Sequence, residues 1–385
     1  MKKARLFSLI AACAVLTGMA AGCGGNAKAS KDVFPIGAVG PGTGDTAQYG
    51  LAVKKGAELA VEEINKAGGI GGKKIEFKFE DDENNAEKAV NAYNALKDWG
   101  MKISMGTVTS KPCVAVAAKT KEDNMFMMTP SATSVDCLTE PNAYRICFSD
   151  PNQGAASAKY IATNKVAEKV AVIYDSSDPY SSGIFAKFKT EAQAQNLNIV
   201  AEGAFTSDSN TDFTVQIQQA KDAGADLVFL PIYYTQAALV LRQANDAGYK
   251  PKFFGCDGLD GLMTVKDFDK SLAEGVMLLT PFAPDAQDET TKTFVAAYKA
   301  KFNNEVPNQF AADAYDVIYA IKAAAEKANL TPDMTASEMC EALKGVMTQI
   351  TLDGVTGAGI VWDEKGEPNK EPRAMKIVNG VYAAM

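Results

Sequence analysis

The chain of 385 residues contains no histidine, and this absence removes most hydrolytic chemistry. A Ser-His-Asp or Cys-His site cannot form, and no Ser-x-x-Lys motif offers a substitute. A metal site would need carboxylates alone, and no acidic residues cluster at ligand spacing. No Cys-x-x-Cys pair occurs, which argues against a redox motif. Positive charge is scarce too: 39 Lys and Arg stand against 47 Asp and Glu, a net charge of -8 with no basic run. Such a surface suits neither nucleic acid nor an anionic membrane face. After residue 22 no stretch approaches ~18 uninterrupted apolar residues, so nothing later reads as a membrane span.

What is present begins with a leader. Lys2, Lys3 and Arg5 precede an apolar run over 6–16, and Ala20-Ala21-Gly22-Cys23 follows. A basic start, a short apolar core and small residues before a cut site make a secretory signal peptide. The stretch resembles a bacterial lipobox, with Cys23 as the lipidated first mature residue, although Ala20 stands where most lipoboxes carry Leu. Acyl chains on Cys23 would anchor an exported protein to the extracytoplasmic face of the cell membrane. Loss of Lys2, Lys3 and Arg5 takes the net charge from -8 to -11. Five cysteines then remain: Cys113, Cys137, Cys147, Cys256 and Cys340. Cys137 and Cys147, across a loop of turn formers, are the candidate disulfide; five buried reduced thiols are the alternative.

The mature chain is too long for one typical core, so two domains are expected. In 51–67, Val53, Ala57, Ala60, Val61 and Ile64 fall at helical spacing, Gly68-Gly69 ends the pattern, and 73–79 reads as a strand. The acidic run over 80–83 reads as a solvated loop. Strands are expected over 34–39, 102–108 and 124–128. After a helix start at Asp150-Pro151, with Asp150 as N-cap, further strands are expected over 169–174, 198–204, 226–231 and 252–255. Helices are expected over 182–195, 212–223, 235–247, 288–302, 309–328 and 336–346, and a strand pair over 359–362 and 374–378. Repeated strand–helix order implies parallel sheets covered on both faces, an α/β fold of two doubly wound, Rossmann-like lobes.

Three strand-to-helix loops carry the chemistry. They are 40–50, rich in Gly and Thr, then Thr109-Ser110-Lys111-Pro112, then Thr129-Pro130-Ser131-Ala132-Thr133-Ser134. Hydroxyls and free N–H groups at such turns suit a carboxylate. A zwitterion would also need a carboxylate for its ammonium, and Asp257 in Gly255-Cys256-Asp257-Gly258 offers one. Each residue alone has a simpler role, as an N-cap, a turn or a core edge. Together they lie at the C-terminal ends of strands, where open α/β sheets bind ligands.

These loops resemble, in order, those of the solute-binding proteins of ABC importers for branched-chain amino acids, the Leu/Ile/Val-binding proteins with the type I periplasmic binding fold. The matching stretches are GAELAVEEINKAGGIGGKKIEF, GTVTS, TPSATS, FSDPNQG, TDFTVQIQQAKDAGADLVFLP and GIVWDEKG. The resemblance implies two lobes joined by three crossovers, with 33–150 plus 281–355 in the first lobe and 151–280 plus 356–385 in the second. Ahead of them stand a signal peptide over 1–22 and a lipid-anchored linker over 23–32. It implies that Ser110 and the Ser131, Ala132, Thr133 turn take the ligand carboxylate, and that Tyr49, Tyr180 and Tyr233 line the side-chain pocket. Asp257 stands where many members have a Glu, so its carboxylate reaches less far. The family's early disulfide has no counterpart, because Asn84 and Thr109 occupy those places. The implied protein is a monomeric receptor, not an enzyme, without cofactor or metal, that delivers an aliphatic amino acid to membrane permease subunits of an ABC importer.

Two other functions compete. Gly42-Thr43-Gly44-Asp45-Thr46-Ala47 fits the loose dinucleotide pattern after a strand, but no acidic strand end stands ~20 residues on. A ligand-sensing protein that feeds a membrane signalling receptor would use the same two lobes; a neighbouring permease or kinase gene separates the two.

Overall fold

A computed structural model describes residues 28–385. Cys23, the expected signal peptide and the first half of the expected linker lie outside the described residues. The elements run β1 (Val33–Gly40), α1 (Ala47–Lys66), β2 (Lys74–Asp81), α2 (Ala86–Trp99), β3 (Ile103–Ser104), α3 (Ser110–Glu122), β4 (Met127–Thr129) and β5 (Ala143–Arg145). Then follow α4 (Asp150–Thr163), β6 (Lys169–Asp175), α5 (Pro179–Ala194), β7 (Asn198–Phe205), α6 (Thr214–Asp222), β8 (Leu227–Leu230), α7 (Tyr234–Asp246), β9 (Lys252–Gly255) and β10 (Met277–Thr280). The chain closes with α8 (Glu289–Lys301), α9 (Gln309–Lys327), α10 (Ala336–Lys344), β11 (Leu352–Gly354), β12 (Gly357–Ile360), β13 (Arg373–Val378) and β14 (Val381–Ala384). Among the described residues no helix is long and apolar enough to cross a membrane.

The strands form two large sheets, ordered β2-β1-β3-β4-β5 and β14-β13-β10-β9-β8-β6-β7. The first is parallel throughout. The second is parallel from β7 to β10 and then adds β13 and β14 antiparallel. Local signals explain the helix ends. The side chain of Asn85 accepts from Lys88 N at the start of α2, Gly100 ends that helix at φ 117, and Thr335 with Glu338 forms a capping box on α10. The burial of β1, β4 and β8 on both faces explains their continuous apolar runs.

Four expectations change. The strand expected over 102–108 is only Ile103–Ser104, because the backbone turns at Gly106, φ 82, where a Cβ would lie 3.0 Å from Thr129 Cα. This bend carries Thr107 to Ser110 off the sheet. The acidic loop is not wholly solvated: Asp82 is buried, and burial lifts its carboxyl to about 7. The strands near 359–362 and 374–378 do not pair with each other; β12 pairs with β11, and β13 pairs with β10 and β14.

The last change is the third lobe boundary, expected after residue 355. After 355 the chain completes the separate β11-β12 pair and stays hydrogen-bonded to first-lobe residues before β13 joins the second sheet. Lys370 Nζ meets Asp313 Oδ1 of α9 at 2.9 Å, and Asp316 takes the N–H groups of Val355 and Thr356 at 2.8 Å each. Gly366 O receives Arg145 N at 3.1 Å, so the loop after β12 completes the edge of β5. A buried ion pair holds only when its partners stay together, and this network ties the segment to the first lobe.

Helix α1 packs on α9 through Gly56, where a Cβ would fall 2.0 Å from Ala311 O. Gly56→Ala must push the two helices apart. Urea titration should show a loss of about 1–3 kcal/mol, and an unchanged midpoint would mean that the helix pair is looser than this contact requires.

Candidate functional site

The residues singled out in the sequence come from different elements and meet between the two sheets. Ser110 opens α3, Tyr49 lies in the first turn of α1, Tyr180 in the first turn of α5, and Tyr233 precedes α7. Asp257 follows β9, and Ser131 follows β4. All stand just past the C-terminal ends of parallel strands, where turns leave helix N–H groups without partners.

Tyr49, Ser110, Ser131, Tyr180, Tyr233 and Asp257 line one small cavity, together with Val108, Thr109, Gly258 and Phe310. Its volume is about 10 Å³, room for about one water molecule. The lobes touch across it: Tyr49 OH donates to Gly258 O at 2.5 Å, and Thr235 Oγ1 to Asp45 O at 2.6 Å. This is a closed form, and an amino acid can enter only when the lobes part. Outside Tyr180 and Tyr233 the cleft widens to about 430 Å³ between Asp45, Asn84, Lys111, Asp178 and Gln236. A larger cavity of about 680 Å³ lies elsewhere, between α1, Phe282, Pro307 and Val381. Its walls are mainly apolar and it does not gather the turn N–H groups, so size alone does not make it the site.

The first-lobe half is built around one hydroxyl. Ser110 Oγ accepts Thr133 N at 3.3 Å and Ser134 N at 3.2 Å. Thr129 shapes the turn from inside: its Oγ1 accepts Ser131 N at 3.3 Å and Ala132 N at 3.0 Å and donates to Thr107 O at 2.6 Å. Ser131 Oγ donates to Val108 O at 2.7 Å. Ala132 and Thr133 stand behind the cavity wall. The N–H of Ala132 is already used, whereas Thr133 Oγ1 is buried without a partner.

On the second lobe, Asp257 Oδ1 accepts Tyr180 OH at 2.8 Å, and Tyr180 OH accepts Gly258 N at 2.9 Å. Burial lifts the Asp257 carboxyl to about 7, against the hydrogen bond from Tyr180 that lowers it. The rings of Tyr180 and Tyr233 stack at 4.8 Å, and Tyr49 meets Tyr233 edge-on at 5.6 Å and Phe310 at 4.5 Å.

Two features of the sequence play other parts. The donors of the 40–50 loop are taken by Asp81, which accepts Gly42 N and Thr43 Oγ1 at 2.7 Å each. Asp81, from β2, thus occupies the two donors at the start of that loop that a dinucleotide phosphate would need. The candidate disulfide does not form: all five cysteines are free and buried. The Cys137 thiol donates to Ser110 O at 3.7 Å and the Cys147 thiol to Ala132 O at 3.6 Å, so each serves a different binding loop.

Sequence reasoning missed Asp150 and Gln153. Asp150 is not the cap of α4; Ser149 is, and Asp150 lies in the first turn, buried, with neither carboxylate oxygen partnered. Burial raises its carboxyl well above the usual range. Gln153 Oε1 accepts Asp257 N at 3.0 Å, while its Nε2 has no partner. The signal was the i, i+3 spacing of two polar residues on one helix face at a chain crossing. Three buried groups with orphaned atoms, Thr133, Asp150 and Gln153, surround the floor of the cleft.

Known proteins resemble this chain in sequence and in fold. The Leu/Ile/Val-binding protein homolog 3 of Brucella melitensis is 34% identical over 315 residues, 81% of this chain and 84% of its own. The leucine-, isoleucine-, valine-, threonine- and alanine-binding protein of Pseudomonas aeruginosa is 31% identical and matches 88% of each chain. The crystal structure of a branched-chain amino acid transporter substrate binding protein from Streptococcus pneumoniae, in complex with isoleucine, superposes with a TM-score of 0.82 at 28% identity, over 91% of this chain and 98% of that one. A leucine binding protein from Thermotoga maritima gives 0.82 at 25% identity, over 92% and 98%. The family model described as periplasmic binding protein matches residues 34–381, and the chain belongs to that family.

Proposed function

We propose that this protein is an extracytoplasmic receptor that binds an aliphatic amino acid, branched-chain in first place, and delivers it to the permease subunits of an ABC importer. One observation carries the proposal: a hydroxyl joined by two turn N–H groups on one lobe faces a buried, cation-free carboxyl on the other. The first half suits a carboxylate and the second an ammonium. The ring cluster of Tyr49, Tyr180, Tyr233 and Phe310 gives the side chain an apolar wall. Relatives named for leucine, isoleucine and valine support the choice of ligand, and their family supports the location.

The ligand docks by its carboxylate on the first lobe while the cleft is wet. Asp257 then reaches the ammonium as the second lobe closes. Closure follows because the ligand touches both lobes and so favours the closed form differentially. Titration calorimetry of leucine, isoleucine and valine tests this directly. Truncating one partner of a buried charge pair costs about 2–5 kcal/mol, so Asp257→Ala should weaken binding from roughly 30-fold to several-thousand-fold. Ser110→Ala removes a hydrogen bond to a charged group, about 1.5–3 kcal/mol, and should cost less. Binding by Asp257→Ala within about threefold of wild type would place the ammonium elsewhere.

The same carboxyl sets a pH dependence. Empty and closed, it holds its proton up to about 7; an ammonium beside it favours the ionised form, so binding expels a proton below that point. Relative to the closed empty form, binding should therefore be fully favoured above pH 7 and weaken as pH drops through it, by roughly 20-fold between pH 7.5 and 5.5, whereas an empty protein held mainly open, with Asp257 in water, should bind with a flat profile. A flat profile would mean that Asp257 is ionised before the ligand arrives.

Export and anchoring rest on the lipobox-like Ala20-Ala21-Gly22-Cys23. A thioether-linked lipid needs the thiol, so Cys23→Ser should shift the protein out of the membrane fraction or leave it unprocessed. Correct cleavage with wild-type membrane recovery would rule out the anchor.

A further inference from the structure

Arg145 is completely buried on β5; its two terminal nitrogens are committed to the binding turn and its Nε lies beside one acid. Nη1 donates to Ala132 O at 3.0 Å, Nη2 donates to Ser134 O at 2.9 Å, and Nε lies 3.2 Å from Glu367 Oε2. The peptide plane explains what this does. In a trans peptide the C=O and the next N–H point in opposite directions. Arg145 pins Ala132 O, so Thr133 N–H must aim the other way, where Ser110 Oγ receives it. Asp150 N likewise holds Thr133 O at 2.9 Å, which turns Ser134 N–H toward the same hydroxyl.

A guanidinium on a carbonyl also draws electron density through the peptide and strengthens the N–H at its far end as a donor. The groups facing Arg145 are Glu367, the carboxyl of Asp150, and the thiols of Cys137 and Cys147. Glu367 is the ion-pair partner, and its side chain is 30% exposed on the loop after β12.

Building on the amino-acid reading above, we infer that Arg145 is a positioning residue for the ligand carboxylate: it aims and polarises the Thr133 N–H that Ser110 Oγ receives, which leaves the Ser110 hydroxyl proton to donate into the cavity, and it supplies the positive field that selects a carboxylate over an uncharged head group. It does not touch the ligand. Glu367 offsets part of that field.

The test compares L-leucine with L-leucinamide, which keeps the ammonium and side chain but lacks the anionic head, by calorimetry on the full exported protein. Arg145→Met should lower leucine affinity by about tenfold or more while changing leucinamide much less. Arg145→Lys, which keeps the charge but cannot fork to both carbonyls, should fall between. Because a buried arginine can be needed for folding, Glu367→Gln provides a second arm. It removes a partly exposed negative charge and leaves Arg145 its bonds to the turn. Leucine should then bind about two- to threefold more tightly, with leucinamide unchanged. A purely structural brace predicts the opposite sign. Weaker or unchanged leucine binding in Glu367→Gln overturns the inference alone. Failure of the wild-type protein to bind leucine, isoleucine or valine would overturn the amino-acid reading and this inference with it.

Discussion

Two carboxyl groups, Asp150 and Asp257, lie buried between the lobes, and neither has an ion pair among the described residues. Water would solvate both if the lobes were apart. In the closed form that solvation is lost, and only Tyr180 OH and the floor of the cleft replace it. An isolated buried carboxylate is far too costly to keep, so the closed form without a cation must hold these groups as neutral acids. A cationic group that enters the cleft removes this penalty. The lobes therefore have a physical reason to stay open when empty and to close when an ammonium is present.

The halves of the site are rigid even though their relation is not. Thr129 and Ser110 fix the turn over 131–134 by hydrogen bonds that stay within the first lobe. On the other side, Gln153 holds Asp257 N and Tyr180 holds the carboxylate and Gly258 N, all within the second. Bonds that cross the cleft are few and come mainly from Tyr49, Gln48 and Thr235. Hinge motion can break the second set while the first survives. That separation lets a receptor change shape without losing the geometry of either half.

Much of this was legible in the sequence. Helical spacing from Val53 to Ile64, glycine stops and apolar runs placed the main helices and most strands, since these are local signals. The polar turn residues were legible for the same reason: they follow strands and start helices. What escaped depended on distant partners. Asp81 fills the 40–50 loop from a strand 39 positions later, and no spacing rule connects them. Asp150 looks like a cap until tertiary packing seals it from water. The later return of the chain to the second lobe depends on a buried Lys370, whose ordinary place in a sequence is the surface. Cys137 and Cys147 were near enough along the chain to suggest a bridge, but the two thiols face different carbonyls.

The shorter acid at 257 has a structural counterpart. Tyr180 OH sits 2.8 Å from its carboxylate and also caps Gly258 N, so the hydroxyl fixes the acid on the second-lobe wall. The same ring stacks on Tyr233, which in turn meets Tyr49 from the other lobe. Asp257 cannot extend toward the ammonium without abandoning Tyr180. On the proposed reading, the second lobe must then travel further for the charges to meet, and the tyrosine wall travels with it. Head-group pairing and side-chain enclosure become one motion: a side chain too large to let the rings approach also keeps Asp257 from its ammonium. Selectivity for size would thus be expressed through charge, a stronger penalty than loss of apolar contact alone.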